Sequence, residues 1–110
     1  MSHWPNKRQL TFDGQNSEEL LNFIDEKFGD RGCLLLEYKK FGVWNYEKGV
    51  RSCTIVFYKS GEETCDIYLW GTGGGGVDSG SVRDAVAKEI SKYAVDELKL
   101  KKTYDAAEDI

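Results

Sequence analysis

The stretch RSCTIVFYKSGEETCDIYLWG, residues 51–71, contains two runs in which apolar and polar side chains alternate. This alternation is typical of β-strands with one buried face, and the polar segment at residues 60–62 between them indicates a tight hairpin. A two-residue loop would set Ile55 opposite Asp66, so we favour a three-residue loop. The resulting register places only apolar pairs on one face: Phe57 with Cys65, Ile55 with Ile67, and Cys53 with Leu69.

The opposite face of this hairpin is rich in aromatic side chains. Trp44 and Tyr46 are expected near it, in a segment that is either a further twisted hairpin or an extended loop. Aromatic residues on a solvent-facing sheet can mark a binding site for a protein partner. The alternative is ordinary cross-strand packing of amphipathic rings. The candidate interface residues are Tyr58, Tyr68, Trp70, Trp44 and Tyr46.

Helical patterns flank the strands. Residues 14–29, GQNSEELLNFIDEKFG, carry an apolar stripe, with Asn16 as the expected N-cap and Gly29 as a stop with positive φ. Residues 81–102, SVRDAVAKEISKYAVDELKLKK, carry a second stripe. Ser81 and Asp84 would form its capping box, and the lysines at its end would suit the helix dipole.

The sequence predicts one α+β domain spanning residues 1–110, with the order (β)-α-β-β-β-α. Two further strand-like runs, at residues 8–13 and 33–41, complete an antiparallel sheet with both helices packed on one face. We expect an ordered core at about residues 8–102, with a loose N-terminal segment. The acidic tail, TYDAAEDI at residues 103–110, is also expected to be loose.

Composition argues against most enzyme classes. The net charge is −4, and neither half of the chain has an excess of basic residues. The only histidine, His3, stands near a chain end, so neither a Cys–His pair nor a Ser-His-Asp set can be assembled convincingly. The cysteines also lack close metal-ligand spacing. We expect no catalysis, no cofactor and no metal.

The cysteines and the apolar runs bear on the location of the protein. Cys33, Cys53 and Cys65 are odd in number and lie in strand-like runs, which favours buried free thiols in a reducing compartment. No apolar run is long enough to span a bilayer, and the first residues lack the apolar centre of a signal peptide. The sequence therefore predicts a cytoplasmic or nuclear protein that is not bound to a membrane.

Residues 71–81 form a glycine-rich stretch, GTGGGGVDSGS. Its glycine spacing matches the phosphate-binding motif G-x-G-x-x-G at Gly71, Gly73 and Gly76. The dinucleotide fingerprint needs a helix that begins within the glycines, but the expected cap is Ser81. A P-loop lysine is also missing. We therefore interpret the stretch as a connector between the sheet and the last helix.

The order α-β-β-β-α resembles the double-stranded RNA-binding domain. The Leu-Leu-Asn at residues 20–22 is similar to the start of that family's first helix, and Ser81, Arg83 and Ala85 match its last-helix opening. The resemblance implies RNA contacts along the last helix. The residues that it points to, directly or by their place on that helix, are Arg83, Lys88, Lys92 and Ser81.

Several positions depart from the family where it contacts RNA. Val82 and Val86 replace two expected lysines, Asp84 adds a negative charge, and Phe23 stands where the family presents a glutamate. Loss of phosphate contacts weakens nucleic-acid binding. The resemblance thus implies a divergent member that binds a protein partner or forms a homodimer through its sheet face, with weak binding of double-stranded RNA as the alternative.

A third hypothesis is a small acidic inhibitor or immunity-type protein that binds a basic toxin or nuclease. It would be favoured if the acidic residues of the first half and of the hairpin gathered on one face. Those residues are Asp13, Glu18, Glu19, Glu62, Glu63 and Asp66.

Overall fold

The computed structural model describes residues 7–29, 34–35, 41–49, 51–73 and 80–108. The α+β class, the antiparallel sheet and the two helices expected from the sequence are confirmed, and the chain adds strands to the expected order. The elements are β1 (Lys7–Asp13), α1 (Ser17–Phe28), β2 (Leu34–Leu35), β3 (Phe41–Lys48), β4 (Arg51–Tyr58), β5 (Thr64–Gly73), α2 (Gly80–Lys92), a π-helical turn (Tyr93–Glu97) and β6 (Lys101–Glu108).

The described strands form one antiparallel sheet in the order β2-β3-β4-β5-β1-β6. The first strand of the chain therefore lies inside the sheet, between β5 and β6. Of the two alternatives for residues 41–50, the hairpin is correct, since β3 pairs with β4 from Phe41–Tyr58 to Lys48–Arg51. Gly49 lies in its turn with a φ of +66°, which favours glycine.

One face of the sheet, the inner face, carries both helices and the core. α1 packs over β3, whereas α2 packs over β4, β5 and β1. Burial of so much apolar side-chain surface is the main force that holds the helices on the sheet. The fully buried residues of the sheet are Leu10, Phe12, Trp44, Cys53, Ile55, Phe57, Cys65, Ile67 and Leu69, and those of the helices are Leu20, Leu21, Ile24, Ala87, Ile90 and Ala94.

The predicted register of the central hairpin is wrong by two residues. Phe57 pairs with Ile67, Ile55 with Leu69, and Cys53 with Gly71. The reason is that the first residues of β5, Thr64 and Cys65, pair with β1 and extend beyond the end of β4. Because side chains alternate with a period of two, the shift leaves the predicted inner-face residues on the inner face.

The C-terminal tail is not loose as predicted, because residues 101–108 form the edge strand β6 along β1. The last helix accordingly ends before the lysines expected at its terminus. Lys99 has a φ of +59°, and the Leu100 amide donates to the Ala94 carbonyl oxygen at 2.9 Å, which turns the chain back towards the sheet. An edge strand needs little apolar surface. The polar sequence of β6 therefore has no apolar alternation from which a strand could be predicted. Residues 1–6, expected to be loose, and 109–110 lie outside the described residues.

The helix ends also differ from the expected capping. Asn16 occupies the N-cap position of α1, but its side-chain Nδ2 donates to the Leu98 carbonyl oxygen at 3.2 Å instead of capping the helix. Gly29 ends α1 with a φ of −88°, so no positive φ is needed there. Ser81 lies within α2, which begins at Gly80, one residue before the predicted N-cap.

Candidate interaction surface

The face of the sheet opposite the helices, the outer face, carries a band of apolar side chains. In register, Phe41, Tyr58, Asp66, Thr11 and Tyr104 form one row across the strands. The next row contains Val43, Val56, Tyr68, Gln9 and Ala106, and Trp70 follows Tyr68 on the same face of β5. Both helices pack on the inner face, so no described helix covers this band.

The aromatic rings of the outer face contact each other. Tyr68 and Trp70 lie nearly parallel with ring centroids 6.1 Å apart, and Phe41 meets Tyr58 edge to face at 6.4 Å. Tyr58 and Tyr104 are 47% and 50% exposed, whereas Tyr68 and Trp70 are half-buried. Burial, together with Asp66, raises the pKa of Tyr68, so its hydroxyl stays neutral near pH 7. The rings of the band therefore offer uncharged aromatic surface to a partner, with the carboxylate of Asp66 beside them.

Polar groups of the outer face lie between or beyond the rings. The Thr11 hydroxyl donates to Asp66 Oδ1 at 2.7 Å, which satisfies the carboxylate inside the band. Lys7, Asp13, Glu47 and Lys101 stand on this face towards the strand ends, and they include both signs of charge. An apolar centre with a mixed charged rim is the usual composition of a protein interface.

Of the predicted interface residues, the structure brings together Tyr58, Tyr68 and Trp70. Trp44 does not belong with them, because its side chain is fully buried on the inner face and its Nε1 donates to Asp25 Oδ1 at 2.9 Å. Tyr46 is also on the inner side, where its ring meets Phe28 edge to face at 5.1 Å. Trp44 and Tyr46 lie on the inner face because side chains alternate along β3, and the even-numbered residues of this strand face the helices.

Sequence reasoning missed Phe41, Val43 and Tyr104 as members of the outer face. Phe41 and Val43 could have been found from the same alternation, once residues 41–48 were taken as a strand. Tyr104 gave no usable signal, because β6 lacks an apolar period.

The predicted RNA-contacting residues do not share one exposed surface, because one of them is buried. Arg83 is only 2% exposed, and its Nε and Nη2 donate to Asp84 Oδ1 at 2.9 and 2.8 Å, so the expectation that it contacts phosphate is wrong. The buried side of α2 includes Arg83 and Ala87, whereas Ala85 is exposed. Lys88, Lys92 and Ser81 are exposed on α2.

The first two glycines of the glycine-rich stretch belong to the sheet. Gly71 pairs with Cys53 and Gly73 with Arg51 in the β4–β5 ladder. A phosphate-binding loop would need its glycine amides turned towards a ligand, and ladder pairing does not provide that arrangement. Gly76 lies outside the described residues.

Acidic residues lie on both segments that meet between β1 and α1, namely the β1–α1 connection with the first turn of α1, and the β4–β5 loop. Asp13 pairs with Thr64 in the sheet, and its Oδ1 accepts a hydrogen bond from the Thr64 hydroxyl at 3.0 Å. The Gly14 amide donates to the Glu63 carbonyl oxygen at 2.7 Å. These bonds hold the β4–β5 loop against the connection between β1 and α1. We call the resulting group the acidic end, and its members are Asp13, Glu18, Glu19, Glu62 and Glu63. Asp66 of the same predicted set lies further along, in the outer-face band.

The described cysteines are poor nucleophiles. Cys53 and Cys65 are free and fully buried, and burial raises the pKa of each thiol to about 12. A thiolate is required for nucleophilic attack or metal binding, and almost none forms near neutral pH. Cys33 lies outside the described residues.

Searches for metal and membrane sites and for relatives gave no positive findings. Among the residues described, no three His, Cys, Asp or Glu side chains are placed to hold a metal ion. None of the described helices is both long and apolar enough to cross a membrane. Comparisons with family models, with curated proteins and with solved structures found no match to this chain.

Proposed function

We propose that the protein is a non-catalytic interaction module that binds a second copy of itself through the outer face. The observation that carries this proposal is the band of exposed and half-buried rings on the face opposite the helices, above all Tyr58, Tyr68, Trp70 and Tyr104. Exposed aromatic groups in one contiguous patch are uncommon on monomers and are enriched in interfaces.

The size of the outer face suits such a dimer. Five strands spaced ~4.8 Å apart, each of about seven residues at ~3.3 Å, give a flat area of about 550 Å². Two copies stacked over this whole area would bury about 1,100 Å² in total, close to the ~1,200 Å² at the lower end of specific protein interfaces. Two sheets stacked face to face would set ring against ring, and the sparse charges of both signs at the strand ends would limit repulsion.

Sedimentation velocity over a wide concentration range tests this proposal. We expect the wild type to dimerise, and Tyr58→Lys to remain monomeric because it places a charge in the aromatic band. Val95→Lys is the matched control: Val95 is 42% exposed, close to Tyr58, but lies on the helical side. Trp70→Ala should also prevent association while circular dichroism remains native. A wild type that stays monomeric, or a Tyr58→Lys variant that still dimerises, would contradict the proposal.

We also propose that the core is a divergent form of the double-stranded RNA-binding domain. Support comes from the succession α1, β3–β4–β5 and α2, with the two-residue strand β2 between α1 and β3 and both helices on one face of an antiparallel sheet. β1 and β6 would then be additions at one side. Burial of Arg83 leaves Lys88 and Lys92 as the exposed candidates for phosphate contact, so the observations favour protein binding over RNA binding.

The acidic end supports a second candidate function, the docking of a basic protein. Glu18, Glu19, Glu62 and Glu63 are exposed, and Asp13 lies beside them. Lys101 stands opposite Asp13 in the sheet and offsets part of this charge. A polylysine peptide, titrated at low salt and followed by amide chemical shifts, tests whether the group acts together.

We expect shifts centred on the start of α1 and the β4–β5 loop, and weaker binding by a Glu62→Gln/Glu63→Gln double variant. An Asp96→Asn/Glu97→Gln double variant removes the same charge from the end of the last helix and is the control. Equal weakening by both double variants would mean that binding of the peptide depends on net charge alone, and it would contradict a specific acidic site.

A further inference from the structure

The apolar band of the outer face contains a carboxylate, that of Asp66. It is half-buried between Tyr58 on β4 and Thr11 on β1, and Tyr68 follows it on the same face of β5. The Thr11 hydroxyl donates to Oδ1 but carries no charge. The ion pairs found among the described residues involve other carboxylates, so none of the described cations neutralises Asp66.

A protein that covers the outer face must therefore bring a cation to Asp66. While the face is open, water can solvate the carboxylate oxygen that Thr11 does not bind. A partner that covers the band removes this water, and a carboxylate that is buried without a counter-charge strongly destabilises a complex. An apolar surface alone is consequently a poor match for this face.

Two lysines of the described strands lie on the outer face and could supply such a cation from a second copy. Lys7 lies on β1, the same strand as Thr11, with Gln9 between them on this face. Lys101 lies on β6 at the other end of the strands, opposite Asp13. Neither lysine takes part in the ion pairs found among the described residues.

The position of Lys7 relative to Asp66 fits a two-fold axis through the aromatic band. In the β1–β5 ladder, Asp66 lies opposite Thr11, and Tyr68 lies opposite Gln9. Along the strands, Gln9 is therefore midway between Lys7 and the level of Asp66. A two-fold axis that crosses the strands at this level, between two stacked sheets, sets Lys7 of each copy over Thr11 and Asp66 of the other. Because such an interface is isologous, both contacts form together.

We propose that Lys7 of each copy forms an ion pair with Asp66 of the other copy, and that this reciprocal pair fixes how the two outer faces stack. The inference rests on the self-association proposed above. Tyr58 and Tyr68 flank the carboxylate and exclude water from the pair, which strengthens it. The pair also gives specificity, because a second copy carries the cation that the face requires, whereas a surface without one leaves Asp66 unpaired.

Sedimentation velocity of charge-swap variants of the full chain tests the pair. Lys7→Glu and Asp66→Lys each set like charges against one another across the interface, so each should weaken dimerisation about tenfold or more. The double variant Lys7→Glu/Asp66→Lys restores opposite charges and should recover most of the lost affinity. Lys101→Glu makes the same change of charge at the other outer-face lysine. It is the matched control and should affect dimerisation little, because the axis places Lys101 far from Asp66 of the other copy.

Neutral variants give a second measurement that does not require a lysine to be accommodated within the band. Asp66→Asn keeps the size of the side chain and an oxygen for the Thr11 hydroxyl. Lys7→Gln should weaken dimerisation of the wild type about tenfold or more, since it leaves the carboxylate unpaired. The same change should weaken the Asp66→Asn variant much less, because the carboxylate is then absent.

The outcomes separate the ion pair from self-association as such. A wild type that stays monomeric would overturn both proposals. If the wild type dimerises, self-association stands, and the ion pair alone would be overturned by either of two results. One is a Lys7→Glu variant that dimerises as well as the wild type or no worse than Lys101→Glu. The other is equal weakening by Lys7→Gln in the wild type and in Asp66→Asn.

Discussion

At the scale of single residues, Gly42 and Trp44 depend on each other within β3. The Trp44 ring lies over Gly42, so a Cβ added at Gly42 would meet the ring at Cη2 and at Cζ2, the latter at 2.7 Å. The indole is fixed in this position by its hydrogen bond to Asp25 in α1. Absence of a side chain at Gly42 is therefore what allows a tryptophan to be buried between β3 and α1.

Gly42→Ala should lower the free energy of unfolding by about 1–3 kcal/mol, because the methyl group overpacks the core against a buried ring that is hydrogen-bonded to Asp25. Trp44→Phe removes the two ring atoms in question, so the double variant should lose less stability than the sum of the single variants. Urea denaturation measures all three. Gly61→Ala is the control, since its added Cβ would have no neighbour closer than 3.6 Å. Strictly additive effects would contradict this interpretation.

At the scale of elements, sequence alternation predicted which residues face the core but not which residues are neighbours. A shift of two residues in the β4–β5 register preserves every face, so the apolar pattern could not distinguish the observed pairing from the predicted one. The pairing depended on β1, which lies far away in sequence and recruits Thr64 and Cys65. The alternation of side chains between the two faces explains why Tyr58, Tyr68 and Trp70 were placed correctly on the outer face.

The elements that sequence reasoning missed are those held by groups other than apolar side chains. β6 is attached through backbone pairing and through charged side chains, and neither leaves an apolar period in the sequence. Arg83 was expected on the RNA-contacting surface through the family resemblance, yet it is buried, and a salt bridge with Asp84 accompanies its burial. Polar partners that are distant in sequence, or that depend on helix phase, cannot be identified from local patterns.

At the scale of the whole molecule, a network of charges joins β1, α2 and β6. Arg8 Nε and Nη2 donate to the two oxygens of Asp105, each at 2.8 Å, and Nη1 donates to Asp84 at 2.9 Å. Lys102 Nζ adds a contact to Asp105 at 3.0 Å. Bidentate pairs of arginine and carboxylate are the strongest type of protein ion pair. The network therefore links the C-terminal edge strand to the first strand and to the last helix.

Asp105→Asn should reduce the free energy of unfolding at pH 7 by about 1 kcal/mol, the upper range for a partly exposed pair. The hydrogen bond from Arg8 is the main cause that lowers the pKa of Asp105 below its ordinary value. A lowered folded-state pKa gives stability that is fully present above the unfolded pKa of about 3.9 and is lost as the pH falls through the folded value. The deficit of the variant should therefore shrink below pH 4 and vanish in stronger acid.

Urea denaturation across this pH range measures the deficit in the free energy of unfolding. Asp96→Asn, a change at an exposed aspartate outside the network, is the control. A deficit independent of pH would mean that Asp105 stabilises β6 by packing and not by its charge.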